Sequence, residues 1–301
     1  MQNATLSSKK PKKWHKNRTA KIISFAILVC VSVIFLLPLV YMIGMSFRTP
    51  TDISRNPAAI FPAEGGFTFD NYITVLSGSK STEGASVLNS LKNSLIVSGV
   101  SVVWAIVVDG LAAYAFTFLR FKGRIKTFAF VIFTMAIPGV IGTTIRFTAF
   151  AKLGQALDVM SQAWYYFVWL IIPGAVDVYH VMLIKNYFDS VPYEIIESAR
   201  SDGASDLKIF GSIILPLARS TLLLVGLFTF TSSWNNLFWA NLIVGPNKEW
   251  HTITVYLSTF DRTQQGINMA ASVVSLLPIL IVFMFMQNKM IDGLANSGVK
   301  K

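Results

Sequence analysis

From Ile22 to Phe47 the chain runs for 26 residues without a charged side chain. At 1.5 Å per helical residue, such a run is long enough to cross hydrocarbon about 30 Å thick. Lipid offers exposed backbone groups no hydrogen-bond partner, so a run of this kind must be a helix rather than an open strand. Five more apolar stretches follow, at about 93–119, 126–150, 163–187, 217–244 and 269–287. The expectation is an all-α membrane protein with six transmembrane helices, the first (about 22–47) bent at Pro38. Basic residues precede the first run, as in a signal peptide. It is too long for that and lacks a small-residue cleavage pattern, so it reads as a retained span.

Composition closes off other classes. With 53% hydrophobic and 14% charged residues, this is no soluble globule. The net charge of +11 raises nucleic acid as a partner. The basic residues lie in short segments beside apolar runs, however, where they set membrane topology, so no nucleic acid is expected. Eighteen Lys and Arg fall in the tail 1–21, the Arg120–Lys126 turn, Lys185–Arg219 and the tail 289–301, against seven in the alternate loops; Arg146 lies inside the third stretch. That bias places both termini and the loop 188–216 in the cytoplasm. The single Cys30 excludes an internal disulfide or cysteine metal site, and His15, His180 and His251 are too scattered for zinc. Gly78-Ser-Lys-Ser81 lacks the earlier glycine and the strand–helix context of a phosphate loop. No cofactor is expected in this chain.

The polar run Glu194–Arg219 stands apart from its oily surroundings. Ile195, Ile196 and Ala199 recur at helical spacing among Glu194, Glu197, Arg200 and Asp202. After Gly203, a second short amphipathic piece has Leu207, Phe210, Ile213 and Ile214 on one side and Asp206 and Lys208 on the other. Pro216 closes it. Two short helices joined at a glycine would form a knob that a soluble partner can grip.

Glu197-Ser-Ala-Arg-Ser-Asp-Gly-Ala204, with Phe210, Ile213, Leu215 and Pro216, resembles the EAA loop of ABC-importer permeases, with Ser198 where that family has Ala and Ser220 where it commonly has Pro. Phe69-Asp-Asn-Tyr72 is similar to an element ahead of the second span in sugar-uptake permeases. Leu88-Asn-Ser-Leu91, Asn93-Ser94, Ala112-Ala-Tyr-Ala115, Phe121-Lys-Gly-Arg124, Pro138-Gly139, Leu153-Gly154, Trp234-Asn235 and Gly293–Lys300 resemble further landmarks, from about residue 22 to the end.

The resemblance implies a MalG-like, type I importer permease of the carbohydrate branch that makes and breaks no bond itself. It would pair with a MalF-like second permease in the membrane lipid. A cytosolic ATPase dimer would bind ATP and Mg, and an extracytoplasmic solute-binding protein would deliver a carbohydrate. Coupling to the ATPase would fall to Glu197, Ala199, Asp202, Gly203, Ala204, Phe210 and Pro216, with Ile195, Ile196, Ala199 and Leu207 as apolar anchors.

Polar residues inside the apolar stretches are costly in lipid and invite a functional role. Asp109 lies eleven residues before Arg120, about 16 Å along a helix. Asp177 and His180 would share a helical face. Ser233, Asn235 and Asn236 interrupt the fifth stretch with groups suited to a neutral polyol. These six residues are candidates for a translocation path, or for contacts between helices or with the partner subunit. Trp234 and Trp239 would stack on a sugar or sit at the headgroups. An ion-coupled transporter using Asp109, Asp177 and His180 as a relay is the rival expectation, and a scaffold without substrate the second.

Overall fold

The computed structural model describes residues 18–78, 86–174, 176–260 and 263–298. The basic tail up to residue 17 and the Ser79–Ser81 part of the rejected phosphate-loop match lie outside the described residues. Among the described residues there are helices and no strand. In chain order they are α1 (Arg18–Ser46), α2 (Pro50–Arg55), α3 (Asp70–Ser77), α4 (Val87–Phe118), α5 (Arg124–Phe133), α6 (Gly139–Ala156), α7 (Ala163–Ile171), α8 (Val178–Phe188), α9 (Tyr193–Ser201), α10 (Asp206–Ile209), α11 (Leu215–Leu217), α12 (Arg219–Trp234), α13 (Leu237–Val244), α14 (Ile253–Ser258) and α15 (Gln265–Gly298).

Three helical segments, Lys21–Ser46, Val87–Phe118 and Gln265–Gln287, are each long and apolar enough to cross a membrane. α1 runs through Pro38 without a break, and α15 carries the helix to Gly298, into the stretch expected to be a tail. α4 starts at Val87, ahead of the expected 93, because Ser86 caps it by accepting the Asn89 N–H at 3.2 Å.

The other three apolar stretches are not single rods. Arg124–Ala136 and Gly139–Ala156 meet at 95°, Ala163–Gly174 and Val178–Phe188 at 54°, and Asp206–Leu217 and Arg219–Trp234 at 86°. Each break has a sequence cause. Pro138 has no N–H and holds Ile137 in extended backbone (φ −81°, ψ 121°). Pro173-Gly174 ends the first half of the second pair. The third bend follows Pro216, and the Leu217 carbonyl it frees accepts the Tyr187 hydroxyl at 2.5 Å. The fifth stretch is cut again at Asn235, after which Asn236 caps α13 by accepting the Trp239 N–H at 3.3 Å.

α4 is the central post, packed against α8 and α12, while α1 lies along α15. α1 is otherwise bare: its apolar face from Ile22 to Leu37 is exposed along its whole length. Buried side chains gather in three clusters. One lies at the α9–α10 end, one among α6, α7 and α13, and one among α3, α12, α14 and α15.

Several landmark residues pin the end opposite α9 and α10. Asn71 donates to the Ser46 and Arg48 carbonyls at 2.9 Å each, and Tyr72 meets Ser46 Oγ at 2.7 Å. Asn89 and Asn93 both donate to the Glu249 carbonyl, at 2.6 and 2.9 Å, and the Ile253 N–H reaches Ser94 Oγ at 2.7 Å.

Arg48 is fully buried and organises the loop after α1. Its Nε donates to Asp52 Oδ2 at 2.6 Å, its Nη1 to the Ala59 carbonyl at 2.5 Å, and its Nη2 to the Asn56 and Asp52 carbonyls at 2.7 and 3.0 Å. The guanidinium, aided by backbone N–H groups of Glu64 and Ala63, holds the Asp52 carboxyl down at about 2. A depressed folded value means the pair stabilises above the ordinary carboxylate value of 3.8 and is lost only as pH falls towards about 2. Hydrogen exchange of the 48–64 amides should therefore be unchanged, beyond the intrinsic pH trend, between about pH 7 and pH 5, and lose protection below about pH 4. In D52N those amides should be unprotected already at neutral pH.

Candidate functional site

The knob expected from Glu194–Arg219 is present. α9 ends in a Schellman turn: the Ala204 N–H reaches the Ala199 carbonyl and the Gly203 N–H the Arg200 carbonyl, each at 3.0 Å. That turn requires a positive φ at Gly203, which is +79°. Ser205 then caps α10, accepting the Lys208 N–H at 3.4 Å. The helix widens to a π-turn over Phe210–Ile214, continues through Pro216 in α11, and bends into α12.

The inner side of the knob is apolar and closed. Ile196, Ile209, Phe210 and Ile214 are buried against Ala113, Tyr114 and Phe118 of α4, Val181, Ile184 and Phe188 of α8, and Leu222 and Val225 of α12. Phe210 packs edge-on to Tyr114 at 5.6 Å and lies over Gly110, where a Cβ would come within 3.2 Å of its ring. A side chain there would force the Phe210 ring to shift by a few tenths of an ångström.

Polar contacts lock the same seat. Arg200 donates from Nη2 and Nε to Asp206 Oδ1 at 2.8 and 3.3 Å, joining α9 to α10 across the glycine turn. Tyr114 donates its hydroxyl to the same oxygen at 3.0 Å, and Arg200 also reaches Tyr193 Oη at 3.1 Å and the Phe118 carbonyl at 3.5 Å. The Arg200 guanidinium keeps the Asp206 carboxyl below its ordinary value, and Asp206 in turn raises Arg200.

The outer side carries Glu197, Asp202 and Gly203 exposed, with Ala199 and Ala204 half-buried and Pro216 exposed at the bend. A shallow groove runs between Glu194, Ile195, Ser198, Ala199, Asp202 and Ile213. Two expectations need correction. Ile196 faces α4, α8 and α12 and is unavailable to a partner, and Phe210 likewise seats the knob. Leu207 does not share the Phe210 side; it is 73% exposed, and Ile209 takes the buried position because the short helix passes directly into the wider π-turn.

The expected path residues separate into two groups. Asp109 of α4 and His180 of α8 are both buried and meet at 3.4 Å (Oδ2 to Nδ1), with the Phe228 ring of α12 stacked on the imidazole at 6.5 Å. Asp177 does not share a helical face with His180. It stands outside α8 in extended backbone and caps it, accepting the Tyr179 N–H at 2.7 Å. Ser233 is half-buried, Asn235 is exposed, and Asn236 spends its oxygen on the α13 cap. Thr229 and Thr231 fold back onto the Val225 and Leu227 carbonyls. Trp234 and Trp239 are 2% and 6% exposed, so neither offers a free face to a sugar ring.

Residue-by-residue reading missed Arg200, Asp206 and Tyr114 as the lock of the knob. The signal was present in the opposite charges flanking the glycine turn, but pairing across a turn depends on its geometry rather than on helical spacing.

A family model described as binding-protein-dependent transport system inner membrane component matches residues 16–293. The chain is 28% identical over 284 residues to a maltodextrin transport system permease protein of Bacillus subtilis (strain 168), covering 93% of this chain and 96% of that one. It is 30% identical over 292 residues to an arabinooligosaccharides transport system permease protein of Halalkalibacterium halodurans, covering 95% and 99%. The crystal structure of a bacterial ABC transporter involved in the import of the acidic polysaccharide alginate shares its fold, with a TM-score of 0.74 at 22% identity over 93% of this chain and 99% of that one. A second structure, of a bacterial alginate ABC transporter with an alginate pentasaccharide-bound periplasmic protein, matches at a TM-score of 0.63 and 18% identity over 91% and 96%. The chain belongs to the family of binding-protein-dependent transport system inner membrane components.

Proposed function

We propose that this chain is the permease subunit of an ATP-driven importer that moves a sugar or oligosaccharide, delivered by an extracytoplasmic binding protein, across the cytoplasmic membrane. Family membership supports the transport role, and relatives named for maltodextrin and arabinooligosaccharides support the substrate class. It also favours ATP-driven import over the ion-coupled relay. The bent pairs over 124–156 and 163–188 count as one crossing each and α12 with α13 as another, giving six with both termini and the knob in the cytoplasm. A second, MalF-like permease completes the path, and the exposed apolar length of α1 is covered by lipid or by that subunit.

One observation carries the coupling mechanism: the knob is seated on α4, α8 and α12 together. A force on α9 and α10 is therefore delivered to three membrane helices at once. In this reading the outer groove with Ile195, together with the exposed Leu207 of α10, sits in a cleft of the ATPase. Glu197 and Asp202 meet its basic groups, while Gly203 and Ala204 permit close approach. Phe210 and Pro216 transmit rather than touch. When the ATPase dimer closes around ATP, the knobs of the two permeases draw together and the helices rock between inward-open and outward-open packings. The buried Asp109–His180 contact, between α4 and α8, moves with that rigid unit.

Four outcomes test this. Uptake by the reconstituted importer should require ATP, the ATPase and the binding protein; uptake driven by an imposed ion gradient without the ATPase would refute it. At Gly203 a Cβ meets nothing within 4 Å in this chain, so a side chain costs only the positive φ, about 1–2 kcal/mol. G203A should keep measurable uptake while G203W abolishes it, because only the bulk of Trp reaches the partner. I196A, which empties a buried seat, should destabilise the assembly by about 2–5 kcal/mol. L207A should leave thermal stability unchanged and lower sugar-stimulated ATP hydrolysis.

A further inference from the structure

Arg146 is the one basic residue that neither the topology nor the knob accounts for. It lies in α6, eight residues beyond the Pro138 break, within an apolar stretch. Its guanidinium touches both other broken segments. Nη1 donates to the Pro173 carbonyl at 3.4 Å, at the break before α8, and the group lies 5.2 Å over the ring of Trp239, in the first turn of α13. Trp239 is itself fixed by donating Nε1–H to the Trp169 carbonyl at 2.9 Å. Three interrupted helices thus converge on a single cation.

That cation is positioned but not neutralised. Its remaining contacts are Nε to the Gly142 carbonyl at 3.3 Å and Nη2 to Thr143 Oγ1 at 3.5 Å. All its acceptors are neutral and the bonds are long, and two of a guanidinium's five N–H groups are left over. Among the described residues, none of the ion pairs within 4 Å involves Arg146. Asp177, four residues beyond Pro173, turns Oδ1 to the Tyr179 N–H instead. A charge inside a membrane segment is costly unless it faces a polar cavity or a partner, and broken helices in transporters mark where substrate passes. Arg146 is drawn inward against Pro173 and Trp239 rather than extended towards headgroups, which argues against a lipid phosphate as its counter-ion. A planar fork with free N–H donors fits a carboxylate in two-pronged fashion.

We propose that Arg146 is a specificity-determining residue for a carboxylate-bearing sugar, a uronic acid unit, at the junction of the three breaks. This deepens the importer reading and rests on it. The test uses the whole importer, with both permeases, the ATPase and the binding protein, in proteoliposomes, with labelled trigalacturonate and maltotriose as probes. The wild type should take up trigalacturonate. R146Q should lower kcat/KM for trigalacturonate by about tenfold or more, mainly through KM, and R146K should fall between the two. Uptake of maltotriose alone overturns the proposal while leaving the importer standing. Uptake of neither sugar also overturns the proposal, whereas the importer reading falls only if uptake of a solute proceeds without the ATPase. An unchanged KM for trigalacturonate in R146Q overturns the proposal, as does failure of R146Q to co-purify with the second permease, which would assign Arg146 to the subunit interface.

Discussion

Everything that makes this fold useful depends on how a polar knob is held on an oily bundle. Ile196, Ile209, Phe210 and Ile214 insert into the ends of α4, α8 and α12, and Gly110 provides the space that Phe210 needs. Apolar burial supplies the attachment, but burial alone has no direction and would let two short helices slide. Direction comes from the lock, where Arg200 and Tyr114 converge on one oxygen of Asp206 while the Gly203 turn fixes the angle between α9 and α10. The exposed ion pair is worth little by itself. Its contribution is registry, since its partners come from α4, α9 and α10.

The bends follow a related economy. A continuous helix satisfies its own backbone, so a break inside a membrane segment must find other partners for the freed groups. Here the Leu217 carbonyl goes to the Tyr187 hydroxyl, the start of α8 to Asp177, and the start of α13 to Asn236. Two of the polar residues that first pointed to a translocation path, Asp177 and Asn236, are therefore accounted for, wholly or in part, by the breaks themselves. The opposite end is secured differently. Arg48 gathers the loop after α1 around itself, and asparagines from α3 and α4 tie distant carbonyls together. One end is a handle and the other a clamp.

Much of this was legible in the residues. Long apolar runs dictated a helical membrane class, and the amphipathic run broken by Gly203 gave the knob, with its glycine in the left-handed region as required. What escaped was everything set by tertiary direction. Pro138, Pro173 and Asn235 were visible, but the angles of 95° and 54° depend on what the halves pack against. Ile195, Ile196 and Leu207 looked equivalent as apolar anchors, yet one is buried and two are exposed. Periodicity identifies an apolar face and is silent on whether a helix turns that face to its own chain or to a partner. Trp234 and Trp239 show the same limit: aromatic residues beside amides fit sugar stacking, and the packing closes both.

In the proposed mechanism α9 and α10 are gripped by the ATPase from outside while being held to the bundle from inside. Disulfide trapping tests it most directly, because Cys30 is the only native cysteine and is replaced by serine without touching the knob. Single cysteines at Leu207 and Glu197 should crosslink to cysteines lining the ATPase cleft, with a yield that changes when ATP closes the dimer, while one at Ile209 should not. A knob whose Leu207 and Glu197 positions never crosslink to the ATPase, but react with an impermeant thiol reagent added outside sealed cells, would contradict it.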